Sequence, residues 1–229
     1  MHIHRFAQHA SAHCHALDLA PGAPVGAAWL ALRPGADSAL SEREGDCLVV
    51  AAHGIIALAL GAEHQELSAG DAAVVHGARA CTVRALTPDA SALTVWLPRA
   101  APAGGPRIVL QREKQAKSTI EFNTRFRRLP LLPESEPLDW GSALADIAPR
   151  EATVPHSHID NESFVLLTGH GRLRIDDEVC ELQAGDVVHL PSKSEHTLEN
   201  LTGEDLRFFC TWWTEGHPQN KDCIDQGKH

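Results

Sequence analysis

The sequence predicts an all-β protein built of two similar antiparallel barrels or sandwiches in tandem, and three observations predict it. Apolar runs are short, rich in Val, Leu and Ile, and broken at close intervals by turn residues. The chain repeats itself: Glu66-Leu-Ser-Ala-Gly-Asp71 returns as Glu181-Leu-Gln-Ala-Gly-Asp186, and Cys47-Leu-Val-Val-Ala-Ala-His-Gly54 lines up with Phe164-Val-Leu-Leu-Thr-Gly-His-Gly171. Between the copies lies Ala-Pro-Ala-Gly-Gly-Pro-Arg-Ile-Val-Leu at 101–110, whose Pro and Gly read as a linker. The expected division is a first barrel over 1–100, a linker and lead-in segment over 101–144, and a second barrel over 145–229.

In the second copy the apolar runs place strands at 163–167, 172–175, 178–182, 187–190, 196–199 and 206–213. The turns between them are Gly169-His170-Gly171, Asp176-Asp177, Ala184-Gly185-Asp186, Pro191-Ser192-Lys193-Ser194 and Asn200-Leu201-Thr202-Gly203. Alternation then puts Phe164 and Leu166 on the face of Glu162, inside the barrel, and Val165 and Leu167 on the other. Both faces are apolar, so the outer one is expected to be covered, by the partner barrel or by a second subunit in a homodimer.

Composition excludes several classes. A formal net charge of −10 leaves no basic face for a phosphate backbone, so nucleic acid is not an expected partner. No stretch reaches transmembrane length and the amino terminus lacks a continuous apolar core, so no membrane partner is expected and the cytoplasm is the expected location. Six cysteines, at 14, 47, 81, 180, 210 and 223, show no CxxC pair and read as reduced thiols. Tyrosine is absent.

Chemistry concentrates in the second copy. His156 and His158 are two apart, so on a strand their imidazoles leave one face; Glu162 opens the next strand and His196 begins a later one. Three imidazoles and a carboxylate suit Fe, Mn, Ni, Zn or Cu better than Mg or Ca, which prefer oxygen ligands throughout.

These residues carry a resemblance. Two histidines one residue apart, a glutamate four further on and a glycine seven beyond that form the cupin motif, here His156, His158, Glu162 and Gly169. Its companion of glycine, proline, histidine and asparagine is filled by Gly185, Pro191, His196 and Asn200. Over roughly 145–215 the chain resembles a metal-binding cupin, and with the copy at about 25–98 it resembles a bicupin, two jelly-roll barrels in tandem. The resemblance implies one divalent metal per chain on His156, His158, Glu162 and His196, with Fe(II) the first choice, then Mn(II), Zn(II) or Ni(II). It implies a metalloenzyme acting on a small molecule, a dioxygenase using O2 before a metal-dependent isomerase, decarboxylase, lyase or hydrolase. Cupin dimethylsulfoniopropionate lyases resemble the motif but rely on a tyrosine, which this chain lacks. The alternative of another class is a non-catalytic cupin that binds a sugar or metabolite.

In the first copy, alignment sets Ala39, Ser41, Gly45 and Cys81 against the four ligands, so that barrel is expected to hold no metal. Further candidates surround the second motif. His189 is a candidate base or substrate contact, and Glu162 a ligand that could also move a proton. Arg172 and Arg174 share a strand face and could hold a substrate carboxylate, the segment 119–128 precedes the second barrel so that Arg125 or Arg128 could lie over its mouth, and Trp212 could cap an opening. The terminal histidines His2, His4, His9, His13 and His15 read as solvated, without the fixed geometry that selects a metal.

Overall fold

The computed structural model describes residues 2–4, 14–17, 19, 26–35, 37–40, 45–97, 105–128 and 140–213. Its strands are β1 (His2–His4), β2 (Cys14–Leu17), β3 (Gly26–Ala31), β4 (Asp37–Ala39), β5 (Asp46–His53), β6 (Ile55–Leu60) and β7 (Glu63–Ser68). They continue with β8 (Ala72–His76), β9 (Cys81–Ala85), β10 (Ser91–Leu97), β11 (Arg107–Gln111), β12 (Thr119–Glu121) and β13 (Thr124–Arg128). The rest are β14 (Trp140–Ile147), β15 (Asn161–Thr168), β16 (His170–Ile175), β17 (Glu178–Gln183), β18 (Val187–Leu190), β19 (His196–Asn200) and β20 (Leu206–Trp213). Two single 3₁₀ turns, Ala78–Ala80 and Glu113–Gln115, are the helical elements among the described residues.

Two compact units form. In one, a sheet ordered β11-β8-β5-β10-β3-β2 accompanies a sheet ordered β4-β9-β6-β7. In the other, the orders are β1-β18-β15-β20-β14-β13-β12 and β17-β16-β19. All strand pairs are antiparallel, so each unit is a jelly-roll barrel with its own core. One core gathers Val49, Leu58, Leu67 and Val83, the other Leu166, Leu173, Leu182 and Phe208.

The six strands read from the second copy are present, their ends shifted by two residues at most. The segment boundaries differ from expectation. Within the expected linker and lead-in segment, β11 pairs with β8 in the first unit and β12 to β14 extend the large sheet of the second. The first barrel does not begin at residue 1 either, since β1 pairs with β18 of the second unit. Edge strands recruited from distant sequence leave no mark in local periodicity; their apolar alternation is too short to reveal which sheet they join.

The repeated Glu-Leu-x-Ala-Gly-Asp builds the same turn twice. The Asp71 carboxylate accepts from Ser68 N–H at 3.0 Å, and Asp186 from Gln183 N–H at 2.9 Å. Gly70 and Gly185 hold φ of 90° and 93°, which only glycine adopts without strain, and donate to the carbonyls of Ala51 and Leu166. Leu67 and Leu182, both fully buried, anchor the turn to its core.

Strands β5 to β9 and β15 to β19 run in step, from 46–53 against 161–168 through 63–68 against 178–183 to 81–85 against 196–200. The counterpart of Glu162 is therefore Cys47, and those of His156 and His158 are positions 41 and 43, which lie outside the described residues. This corrects the alignment of Ala39, Ser41 and Gly45 with the ligands; Cys81 keeps its place opposite His196. A slip of two residues preserves inside–outside alternation, so hydrophobic pattern alone does not detect it. Burial pushes the Cys81 thiol up to about 11 and Cys47 also upward, so both are neutral side chains within an apolar cluster. Cys47, Cys81, Cys180 and Cys210 are thiols not joined in disulfides.

In the second unit, Asp146 ties three neighbouring strands together. Its carboxylate, 3% exposed, lies 2.8 Å from Arg127 Nη2 of β13 and 2.7 Å from Arg207 Nε of β20. Removing one member leaves a buried guanidinium uncompensated. Asp146→Ala is therefore expected to lower unfolding free energy by about 3 kcal/mol, read as a shifted denaturant midpoint. Asp37→Ala, which breaks the exposed pair with Arg84, should leave that midpoint essentially unchanged.

Candidate metal centre

The loop before β15 is drawn against β19 by backbone hydrogen bonds between two of the expected ligands. His156 N–H donates to His196 O at 3.2 Å and His196 N–H to His156 O at 2.9 Å. A second clamp holds the loop beyond: Lys193 N–H donates to His158 O at 2.6 Å and Ser192 Oγ to Ile159 O at 2.6 Å. Lys193 takes a left-handed φ of 68° in this turn, which follows Pro191. Asn200, 1% exposed, closes the end of β19 by donating Nδ2–H to the carbonyls of Ile147, Ala148 and Glu204.

These constraints bring the three imidazoles together, a ring nitrogen of each within 4.8 Å of the others. Their Nδ1 atoms face backbone carbonyls: His156 to Val154 at 2.7 Å, His158 to Asp160 at 3.0 Å and His196 to Ser194 at 3.0 Å. A carbonyl only accepts, so each Nδ1 carries the proton and each Nε2 is left as the donor to a cation. Glu162 Oε2 lies 3.1 Å from His158 Nε2 and 3.7 Å from His196 Nε2. His196 Nε2 is buried and has no hydrogen-bond partner among the described residues. Such an atom is costly unless a ligand satisfies it, and three convergent nitrogens beside a carboxylate suit a divalent transition metal.

Burial lowers the pKa of His156 and brings that of His196 down to about 4. For His158 burial also acts downward, but the hydrogen bond and charge of Glu162 outweigh it and the pKa is raised. Of the three imidazoles, His158 is thus the one whose proton competes most strongly with a cation.

A cavity of about 60 Å³ opens over the ligands. It is lined by His156, His158, Glu162 and Phe164, by Phe208 and Trp212 of β20, by Glu121, Phe122 and Phe126 of the β12–β13 hairpin, and by Thr153 and Asp160. The volume admits roughly four waters or a small organic molecule. Register explains Trp212: it pairs with Glu162 on one side and Gly141 on the other. A Cβ on Gly141 would come within 2.5 Å of the indole, so the ring lies directly against β14.

Phe122 forms the opposite wall. Phe122 and Asn123 turn the hairpin with φ of 49° and 61°, both left-handed, as a two-residue connection of the twisted kind requires. The conformation is costly for an aromatic residue, and tertiary contacts hold it: Val154 N–H donates to Phe122 O at 2.9 Å and Asn123 Nδ2 to Ala152 O at 2.9 Å. The phenyl ring stacks on His156 with centroids 3.8 Å apart and planes 7° from parallel.

Of the residues expected at the site, the four ligands, Phe164 and Trp212 come together here. Leu166 does not line the cavity; it is fully buried in the core one alternation further in. His189 pairs with Ser163 and so points to the face opposite Glu162, where its ring stacks on Trp213 and its Nδ1 lies 3.1 Å from Glu162 O. It can steady the Glu162 backbone but is not a base in the pocket. Arg172 and Arg174 are exposed on β16, paired with Glu181, Glu199 and Glu195, and Arg125 pairs with Asp205 at 3.8 Å. None of these arginines lines the cavity. His170, exposed, pairs with Glu181. His2 and His4 lie on β1 and His15 on β2, His9 and His13 lie outside the described residues, and Arg128 ends β13.

Sequence reasoning missed Glu121, Phe122, Phe126, Thr153, Asp160 and Phe208. Phe208 was within reach, since it shares a strand face with Trp212. The hairpin was placed near the mouth, but its arginines were singled out where its alternating aromatic residues do the lining.

Residues 143–212 match the family model for a cupin domain. That stretch is a cupin domain. It is 32% identical over 59 residues to the uncharacterized protein MJ1618 of Methanocaldococcus jannaschii, covering 25% of this chain and 47% of that protein. It is 33% identical over 85 residues to the dimethylsulfoniopropionate lyase DddW of Ruegeria pomeroyi, covering 37% and 55% respectively. The chain thus spans about half the length of these relatives. In fold it is similar to Lactobacillus farciminis oxalate decarboxylase in a formate complex, with a TM-score of 0.63, 15% identity, and 85% of this chain and 78% of that one covered. It is also similar to protein Ylba of Escherichia coli, with a TM-score of 0.68, 12% identity, and 90% and 84% covered. No helix among the described residues is long and apolar enough to cross a membrane.

Two outcomes are expected. Metal affinity should climb with pH through and above the usual histidine range near 6.5, because His158 loses its proton late; Glu162→Gln should move that dependence to lower pH. Chelator competition across about pH 5.5 to 8.5 reads both, and a flat profile would count against the four-ligand site. Phe122→Ala should weaken metal binding by roughly tenfold through loss of the stacked ring and its orientation, while Phe122→Trp retains most of it.

Proposed function

We propose that this bicupin is a metal-dependent enzyme acting on a small molecule bound at the His156, His158, Glu162 and His196 centre of its second barrel. The observation that carries this reading is the orientation of the imidazoles. Backbone carbonyls hold every Nδ1, so three Nε2 atoms converge beside one carboxylate, and His156, His158 and Glu162 line a cavity. A divalent ion held by four protein ligands supplies open coordination positions, Lewis acidity and, if it is iron, electron transfer to O2. Around it the chain supplies a dry wall of Phe122, Phe126, Phe164, Phe208 and Trp212, which excludes water and orients a substrate.

An Fe(II)-type dioxygenase is the favoured reaction class. Its support is the apolar wall, together with the absence of Lys, Arg and Tyr among the described lining residues, which leaves few groups for proton transfer. A metal-dependent lyase or decarboxylase is the second reading, favoured by the similarity to a lyase over the motif region and by Glu121, a carboxylate at the wall that could accept a proton. Mn(II), Zn(II) or Ni(II) would then serve as well as iron. The first barrel is assigned no metal, because Cys47 and Cys81 are buried, neutral thiols in an apolar cluster. We place the protein in the cytoplasm, with a homodimer as the candidate assembly.

The test is turnover of small candidate substrates by metal-replete protein in air and under anaerobic conditions, with metal content measured in parallel. Consumption of O2 in step with substrate supports the dioxygenase; equal turnover without O2 supports the lyase or decarboxylase. One metal per chain is expected. His156→Ala, His158→Ala and His196→Ala should each lose it, and Cys81→Ser should keep both metal and activity. Two tightly held metals per chain would contradict the assignment of the first barrel.

A further inference from the structure

Glu162 is held from behind by a part of the chain that does not line the cavity. In the large sheet the order β1-β18-β15 sets β1 at the edge and β15, the strand of Glu162, two strands in. β1 pairs His2 with His189, Ile3 with Val188 and His4 with Val187. β18 in turn pairs His189 with Ser163 and Leu190 with Glu162. Without β1, the four-residue β18 would itself be the edge, with one row of its backbone N–H and C=O groups unpaired. Backbone with few contacts is what opens locally at least cost, so β1 moves the ligand strand away from the fraying end of the sheet.

Two side-chain hydrogen bonds carry this hold to Glu162. His189 Nδ1 lies 3.1 Å from Glu162 O and so donates to it, while its ring stacks on Trp213 with centroids 5.8 Å apart. Ser163, fully buried and next to Glu162 in the chain, donates its hydroxyl to Leu19 O at 2.8 Å. Leu19 is itself buried and belongs, with Met1–Gln8, to the compact unit of the second barrel, although His9–Asp18 between them belongs to the other unit. The amino-terminal arm therefore meets the metal barrel at two points: the sheet edge that carries His189, and the residue after Glu162. Losing the second contact would leave the buried Ser163 hydroxyl without its acceptor, which is costly.

We infer that the amino-terminal arm is a positioning element of the metal centre: β1 and Leu19, acting through His189 and Ser163, fix the Glu162 backbone, and metal affinity depends on residues that touch neither the metal nor the cavity. This rests on the reading of Glu162 as a metal ligand given above. The imidazoles are aimed by carbonyls of their own neighbourhood, at Val154, Asp160 and Ser194. The carboxylate is instead steadied through its main chain, and the groups that do so come from β18 and from the start of the sequence. Partners of this kind, one bond removed from a ligand, govern metal affinity because they fix where the donor atom sits before the metal arrives.

The experiment measures Co(II) affinity of the full chain by chelator competition and, on metal-free protein, amide hydrogen exchange over residues 161–165. Deleting residues 2–8 should lower Co(II) affinity by at least about tenfold, the range for partners of a metal ligand, and speed exchange over 161–165. Ser163→Ala should cost about fivefold, what one net hydrogen bond is worth. His189→Phe, which keeps a ring against Trp213 but loses the donor, should cost a similar factor. His189→Asn, which keeps a donor at the place of Nδ1, should restore most of it. Thr94→Val removes a buried hydroxyl bond of the same kind in the first unit, Thr94 Oγ1 to Ala28 O at 3.2 Å, and should leave Co(II) affinity unchanged. Should the deletion fail to fold, the point variants carry the test. Wild-type affinity and exchange in both Ser163→Ala and His189→Phe, or an equal loss in Thr94→Val, overturns the positioning role and leaves the metal reading in place. A wild-type chain that binds no Co(II), or a Glu162→Gln variant with unchanged affinity, overturns both.

Discussion

The second barrel depends on one short backbone pairing, the antiparallel bridge between His156 and His196. Two N–H to carbonyl bonds join a loop to the first residue of β19, and both joined residues are candidate ligands. Backbone pairing fixes Cα positions far more tightly than side-chain packing does, and the Nδ1 bonds to carbonyls then fix each ring. What remains for a metal is to satisfy nitrogens that the fold has already aimed. The buried, unpartnered Nε2 of His196 is the local cost of that arrangement.

Around this bridge the two barrels show how one framework accepts opposite interiors. Their shared turns at Asp71 and Asp186 use the same carboxylate-to-backbone bond, the same left-handed glycine and the same buried leucine. Yet where the second barrel sets Glu162 and His196, the first sets Cys47 and Cys81, small apolar-compatible groups that join the core. Replacing two polar ligands by thiols removes the need to satisfy buried charge, and the interior closes over them.

The wall of the cavity comes from another source. The β12–β13 hairpin adds two strands to the large sheet of the second unit, and its left-handed turn projects Phe122 onto His156. Asn123, anchored to the carbonyl of Ala152, ties that turn to the loop carrying the ligands. The ring that shapes the cavity thus also packs against one of the three clustered imidazoles.

Sequence alone determined the all-β class, the duplication and the gathering of His156, His158 and His196 with Glu162, because each is written in local terms: period-two runs, a repeated turn, and histidines at fixed spacing on a strand. It also identified Phe164 and Trp212, which share a face with Glu162 or with the end of the last strand. Only the tertiary structure decided that β1 joins the second barrel, that Cys47 stands where Glu162 does, and that Arg125, Arg172 and Arg174 turn away from the cavity while Phe122 and Glu121 line it. The reason is physical: alternation says which residues share a face, but a two-residue slip leaves it unchanged and edge pairing lies outside it. Which strand lies beside which is settled by hydrogen bonds between segments far apart in the chain.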